Sequence, residues 1–309
     1  MSAGQPTERD LPARTLAFRK ISRAFVLKTV SVLRLDEMMR REQRNRSRIV
    51  VVAMHETMST HKEQFRRQLD WAARHFSLIT PELFARALEA KAPVWPESKP
   101  AVLFTFDDGR ECNYLVAAPL LESFGARGIF FVVPEFVGLT GKAARDFYYS
   151  RIDIRGLPTD DAATDEIWKP MSSDQISGLV RRGHWVGSHT MSHTRLEGLS
   201  DSDLNREIKE SSAQIALWTG RSPDAFAWAY SWDAIDPTSW EAVKNVYRLC
   251  FSPCPGTFDL AEDSPALIWR KEIESYYSRA EYRFMYSGLL DLTWAGKRAK
   301  LRRMLNRTG

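Results

Sequence analysis

The 309-residue chain is 44% apolar and 27% charged, enough apolar content for the core of one large α/β domain or two small ones. Its formal charge of +5 comes largely from the two ends, the run Arg14 to Arg48 and the run Lys297 to Arg307; this suits an acidic surface such as lipid headgroups, and no nucleic-acid module accompanies it. Three cysteines exclude a disulfide framework and fit a reducing compartment, and no stretch reaches the ~18 uncharged apolar residues of a spanning helix.

Residues 1–48 combine Phe18, Ile21, Phe25 and Leu33 at near-helical spacing with interleaved basic residues. The pattern predicts a basic amphipathic extension, packed on the domain or lying on a membrane surface. It is too polar and too interrupted to read as an export signal, so a cytoplasmic protein, peripheral at the membrane surface at most, is expected. The regular part begins with the β-branched run Ile49 to Met54, a core strand ending at His55 and Glu56. Phe65, Leu69, Ala72 and Phe76 follow a helical period, and Thr80-Pro81-Glu82 has the order of a helix start.

Ala101 to Phe104 is a continuous apolar run leading into Thr105-Phe106-Asp107-Asp108-Gly109, which reads as a buried parallel strand with two acids at its end. A helix follows at about Tyr114 to Phe124, then a strand over Gly128 to Val133 and a long irregular insertion at residues 134–170. Its Tyr148, Tyr149, Arg151 and Trp168 suit stacking on a sugar or internal packing equally. A helix at Ser173 to Arg181 leads to a short strand, His184 to Gly187, and to Ser188-His189-Thr190-Met191-Ser192-His193. Beyond the helix of residues 201–218, Ala225 to Tyr230 forms another strand; Arg248 to Ser252 and Leu267 to Arg270 complete the set. A helix over Ala280 to Leu292 precedes a basic tail at residues 293–309. Repeated strand and helix alternation predicts parallel strands with helices outside, and the number of short strands favours a barrel. Cys250 and Cys254 are small core residues, a thiol pair or metal ligands on this reading.

His55, Asp107, Asp108, His189, His193 and Tyr230 each fall at or just past the carboxyl end of a predicted parallel strand, so such a fold brings them to one rim. Two adjacent buried acids need a cation, a shared proton or hydrogen-bond donors, and the two histidines four residues apart are candidate cation ligands.

Thr105 to Gly109 resembles the first motif of the polysaccharide deacetylases (carbohydrate esterase family 4, the NodB-homology group), and Ser188 to His193 resembles their second. The resemblance extends from about Ile49 to Arg270, so residues 49–292 are expected to form the family's distorted (β/α) barrel, often seven-stranded. It implies a hydrolase removing N-acetyl groups from an amino sugar in a polysaccharide or lipid-linked saccharide. It further implies one divalent ion, most simply Zn2+, on Asp108, His189 and His193, with Asp107 as general base and the backbone N–H of Tyr230 at the oxyanion. The familiar late histidine acid is absent, the chain having no histidine after His193. In a permuted subgroup similar to biofilm-polysaccharide N-deacetylases the acid lies on the first strand, where Met54-His55-Glu56 stands, which implies that role for His55. The third motif departs from the family: Phe226-Ala227-Trp228-Ala229-Tyr230 carries Ala229 in place of proline and lacks the arginine that steadies the base. Trp232, Tyr148 and Trp168 are the expected sugar contacts. An O-acetyl esterase shares these residues, and an inactive saccharide-binding barrel is the alternative from another class.

Overall fold

The computed structural model describes residues 47–95, 99–154 and 165–305; the predicted basic N-terminal helix lies outside them. Nine strands occur among these residues: β1 (Arg48–Met54), β2 (Ser77–Leu78), β3 (Ala101–Phe106), β4 (Gly128–Val132), β5 (Trp185–Ser188), β6 (Ala225–Ala227), β7 (Leu249–Pro255), β8 (Phe258–Asp259) and β9 (Ile268–Glu272). Seven of them close a ring in which every neighbouring pair is parallel, in the order β1, β3, β4, β5, β6, β7, β9 and back to β1. The expected seven-stranded (β/α) barrel is therefore the fold. The two-residue β2 pairs with β3, and β8 runs antiparallel on β1; neither shows in the sequence pattern.

Strand parity divides the core. Ile49, Val51, Ala101, Leu103, Ile129, Phe131, Ala225, Ala227, Leu249, Phe251 and Ile268 form one buried cluster drawn from the whole ring, the barrel interior. Phe84 of the helix Pro81–Ala90 joins it against Phe251 and Phe258. That helix starts where Thr80 Oγ1 accepts the amide of Leu83 at 3.3 Å, ahead of Pro81. Residues of the other parity, such as Val50, Val52, Val102, Phe104, Phe130 and Val132, pack outward against Phe65, Leu69, Leu121, Ile176 and Leu179 of the surrounding helices. Because side chains alternate with period two, continuing the inward series 101, 103, 105 places Asp107 over the barrel mouth, and 49, 51, 53 places His55 there.

Two expectations are corrected. The segment 134–170 is not wholly irregular: it carries the helix Gly141–Phe147, running on without a break into Tyr148–Ile152, and the turn Asp165–Trp168. The stretch after Leu292 is not a free tail but part of the helix Leu289–Leu305, whose Leu301 and Leu305 are buried beside Cys254 and Trp269. The basic pattern hid that helix because only a narrow leucine stripe contacts the barrel. Cys250 and Cys254 are buried free thiols in the same apolar layer. No described helix is long and apolar enough to cross a membrane.

Candidate active site

The first acidic turn leaves β3 through a tight reversal in which Asp108 has φ +71° and Gly109 φ +72°. The histidine turn after β5 holds Thr190 at φ +67° and His193 at +56°, and Tyr230 after β6 sits at +65°. Of the five non-glycine residues with positive φ among the described residues, four are at this rim. Each such backbone costs of order 1–3 kcal/mol and persists where surrounding structure enforces it. Gly187 allows the second turn its approach. A Cβ there would lie 2.5 Å from the Phe131 ring and 2.7 Å from the Ala225 carbonyl, so only glycine lets β5 pack at this point.

These turns bring Asp108, His189 and His193 together, all buried, with one ligand atom of each within 4.8 Å of the others. His189 Nδ1 lies 2.8 Å from the Ala227 carbonyl, and His193 Nδ1 lies 2.7 Å from the Arg151 carbonyl. A carbonyl only accepts, so each Nδ1 carries its proton and donates. Both Nε2 atoms then aim at Asp108 Oδ1, His193 at 3.6 Å and His189 at 3.8 Å, too long for hydrogen bonds. Burial, reinforced by the neighbouring His189, pushes the pKa of His193 down to about 4, so its ring is neutral near pH 7. Two imidazole Nε2 atoms, that of His193 in a neutral ring, and a carboxylate oxygen thus converge on one point. That donor set fits a divalent cation with N2O ligation and open positions.

Asp107 is buried next to this cluster, with Oδ2 3.9 Å from His189 Nε2. Its Oδ1 accepts from Arg270 Nη1 at 2.6 Å, and the same guanidinium nitrogen lies 3.3 Å from Thr105 Oγ1. Burial by itself would raise the Asp107 pKa, but Arg270, His189 and His55 outweigh it and the carboxyl stays below its ordinary value. This corrects the expectation that the base lacks its arginine. The third motif indeed has none, yet Arg270 on β9, the strand that flanks β1 on the side away from β3, reaches the same carboxylate, and its sharing the inward parity of Ile268 was the available signal.

His55 stands past the end of β1, the strand next to β3. Its Nδ1 lies 2.6 Å from Glu274 Oε1, and the Glu274 carboxylate also accepts the His55 amide. Burial lowers the imidazole pKa, but Glu274, with Asp108 and Asp107 behind it, reverses this and lifts it to about 10. The side chain remains 37% exposed, and Nε2 has no protein partner among the described residues. Glu274 lies beyond the last strand the sequence marks out, and nothing in the local pattern singles it out.

Tyr230 donates its hydroxyl to the Arg151 carbonyl at 2.8 Å and packs its ring 4.8 Å from that of His193. Its amide makes no protein hydrogen bond among the described residues. Trp232 is half-buried, flanked by Lys297 and Lys300 of the C-terminal helix. Tyr148 is not positioned to meet a sugar: it is 2% exposed, its ring lying under the Arg110 guanidinium. Trp168 is half-buried against the cluster of Phe136 and Tyr148. An amphipathic aromatic in a loop looks the same in sequence whether it packs inward or outward, which is why the burial of Tyr148 could not be read from the sequence.

Residues 96–247 match the family model described as polysaccharide deacetylase. YxkH of Bacillus subtilis (strain 168), named provisionally as a polysaccharide deacetylase, is 24% identical over 154 residues, covering 48% of this chain and 43% of that protein. The alignment thus spans less than half of its length. Among solved structures, IcaB from Ammonifex degensii superposes with a TM-score of 0.57 at 18% identity, covering 78% of this chain and 96% of that one. The deacetylase PplD of Streptococcus pyogenes, solved with acetate, gives 0.57 at 18% over 77% and 98%. A de-N-acetylase from Aggregatibacter actinomycetemcomitans gives 0.58 at 16% over 77% and 99%. At these identities the structural likeness establishes the barrel fold.

Proposed function

Because the chain carries a domain of the polysaccharide deacetylase family over residues 96–247, we propose that it is a metal-dependent N-deacetylase. Its substrate on this reading is an N-acetylated amino sugar within a polysaccharide or a lipid-linked saccharide. The observation that carries the reading is the convergence of two Nε2 atoms on Asp108 Oδ1, both rings held by carbonyls at Nδ1. Asp108, His189 and His193 would hold the ion, with zinc favoured by the nitrogen-rich set. Bound there, a divalent cation would polarise the scissile carbonyl and acidify an attacking water.

The chain's own groups account for the rest. Asp107 is ionised, with Oδ1 fixed by Arg270, so Oδ2 is the atom available to take the proton of the attacking water. The free amide of Tyr230 supplies a donor for the negative charge that develops on the carbonyl oxygen. An amine cannot leave without a proton. His55, kept protonated by Glu274, delivers it from Nε2, and the loss of Nε2–H leaves a neutral ring still bonded to Glu274. A strongly held acid suits an amide more than an ester, whose alkoxide leaves with less assistance, and this favours N- over O-deacetylation.

Supporting roles follow from the remaining features. Trp232 offers a sugar-stacking face at the rim. The basic termini fit a peripheral, cytoplasmic-side contact with anionic lipid, which would suit a lipid-linked saccharide. Metal analysis of purified protein and acetate release from N-acetylated and O-acetylated oligosaccharides, with and without Asp107→Asn, test the reading. The wild type is expected to take up zinc and cleave N-acetyl groups, and the substitution to abolish the cleavage while zinc uptake is kept. A protein that binds saccharide but takes up no metal and releases no acetate would leave the inactive binding barrel instead.

A further inference from the structure

The chemistry outlined above gives no role to Arg110, yet it is among the most confined cations of the molecule, 5% exposed at the mouth of the site. Its Nη2 and Nε both donate to Asp108 Oδ2, at 2.9 and 3.2 Å, while Nη1 donates to Glu56 Oε2 at 3.0 Å. The guanidinium carbon sits 4.9 Å from the centre of the Tyr148 ring, which walls it from the side of the 134–170 segment. Main-chain bonds on either side of it, Glu111 N to the Lys169 carbonyl and Met171 N to the Gly109 carbonyl, each 2.8 Å, fix the backbone that presents it.

The consequence lies in the two oxygens of Asp108. Oδ2 is saturated by two N–H donors of one guanidinium. Oδ1 alone faces the imidazole nitrogens. We infer that Arg110 is a positioning residue that confines Asp108 to ligation through Oδ1, keeping the cation loosely held and a coordination position free for water or substrate. A carboxylate released from such a donor can turn both oxygens to a cation, which tightens binding and fills a position that catalysis needs open. The guanidinium also opposes part of the site's negative charge at short range, which weakens its hold on a dication further. Tyr148 and Glu56 act through Arg110, the first as a wall and the second as a second anchor. This inference rests on the metal-dependent reading above.

Calorimetric titration of metal-free protein with Zn2+ separates the possibilities. Arg110→Gln is expected to bind zinc roughly tenfold tighter than wild type, with kcat reduced more than KM changes, whereas Arg110→Lys, which keeps the charge, stays near the wild-type affinity. A merely structural role for Arg110 predicts the opposite sign, weaker binding in Arg110→Gln, and that result in a variant with native circular dichroism overturns the inference. A zinc-bound crystal structure of the wild type needs no substitution. It is expected to show Asp108 Oδ1 alone at ligand distance with Oδ2 still on Arg110, and two-oxygen ligation there overturns the inference while leaving the metal-dependent reading intact. Wild-type protein that takes up no zinc overturns both.

Discussion

On the Asp108 edge of the rim, the two imidazoles and the two acids are buried and their outer atoms committed, to the Ala227 and Arg151 carbonyls, to Arg110 and to Arg270. On the His55 edge the imidazole keeps 37% of its side chain exposed and depends on one carboxylate, Glu274. The contrast follows from what each edge must do. A cation site gains from dehydration and fixed ligands, and it can tolerate the strained backbone of Asp108 and His193 because neighbouring bonds enforce it. An acid must meet the leaving group and recover its proton from solvent, so complete burial would defeat it.

If that division is right, substitutions on the buried edge remove function outright and those on the open edge tune it. Asp107→Asn, which leaves Arg270 and the ligand cluster in place, is expected to lower kcat by about 10³-fold or more with zinc affinity within a few-fold of wild type, read by acetate release and calorimetry. Equal loss of zinc would merge the roles of the two acids. Arg270→Met is expected to cost about 10²-fold. The sign of its pH effect is fixed by the depressed carboxyl: the base Asp107 is lost as pH falls through its lowered pKa, and removing the cation raises that pKa, so its contribution to the acidic limb of kcat moves to higher pH. A limb that does not move, or moves down, would deny Arg270 its part.

Glu274→Gln should be gentler, about tenfold at pH 7. His55 must be protonated to act, so activity is present below its pKa and lost as pH rises through the value near 10. Removing Glu274 brings that basic limb down by about one pH unit or more, while zinc binding is retained. The smallest effect is expected from Tyr230→Phe, which keeps the amide and removes only the hydroxyl on the Arg151 carbonyl. A loss of roughly two- to fivefold fits one net hydrogen bond. A far larger loss would mean that the phenol, not the amide, meets the substrate.

The barrel and most of its rim were legible because they rest on short-range signals. Continuous β-branched runs such as Ile49 to Met54 mark strands, and contiguous turns such as Asp107-Asp108-Gly109 and His189 to His193 carry their residues together wherever the chain goes. Helix starts at Thr80-Pro81 and Ser172 needed only local hydrogen bonds. The basic C-terminal helix was hidden because its burial is decided by two leucines meeting a barrel face that no local pattern announces.

What the sequence alone determined was therefore the inventory of the site: which acids and imidazoles exist, and that each stands past a strand end. Only the closed barrel decided their partners. Arg270 lies 163 residues from Asp107 and Glu274 lies 219 from His55, yet each pair is joined by a bond of 2.6 Å. Side-chain charge state and direction depend on such neighbours, and neighbours across a barrel are set by ring closure and strand register, quantities that belong to the whole chain and to no segment of it.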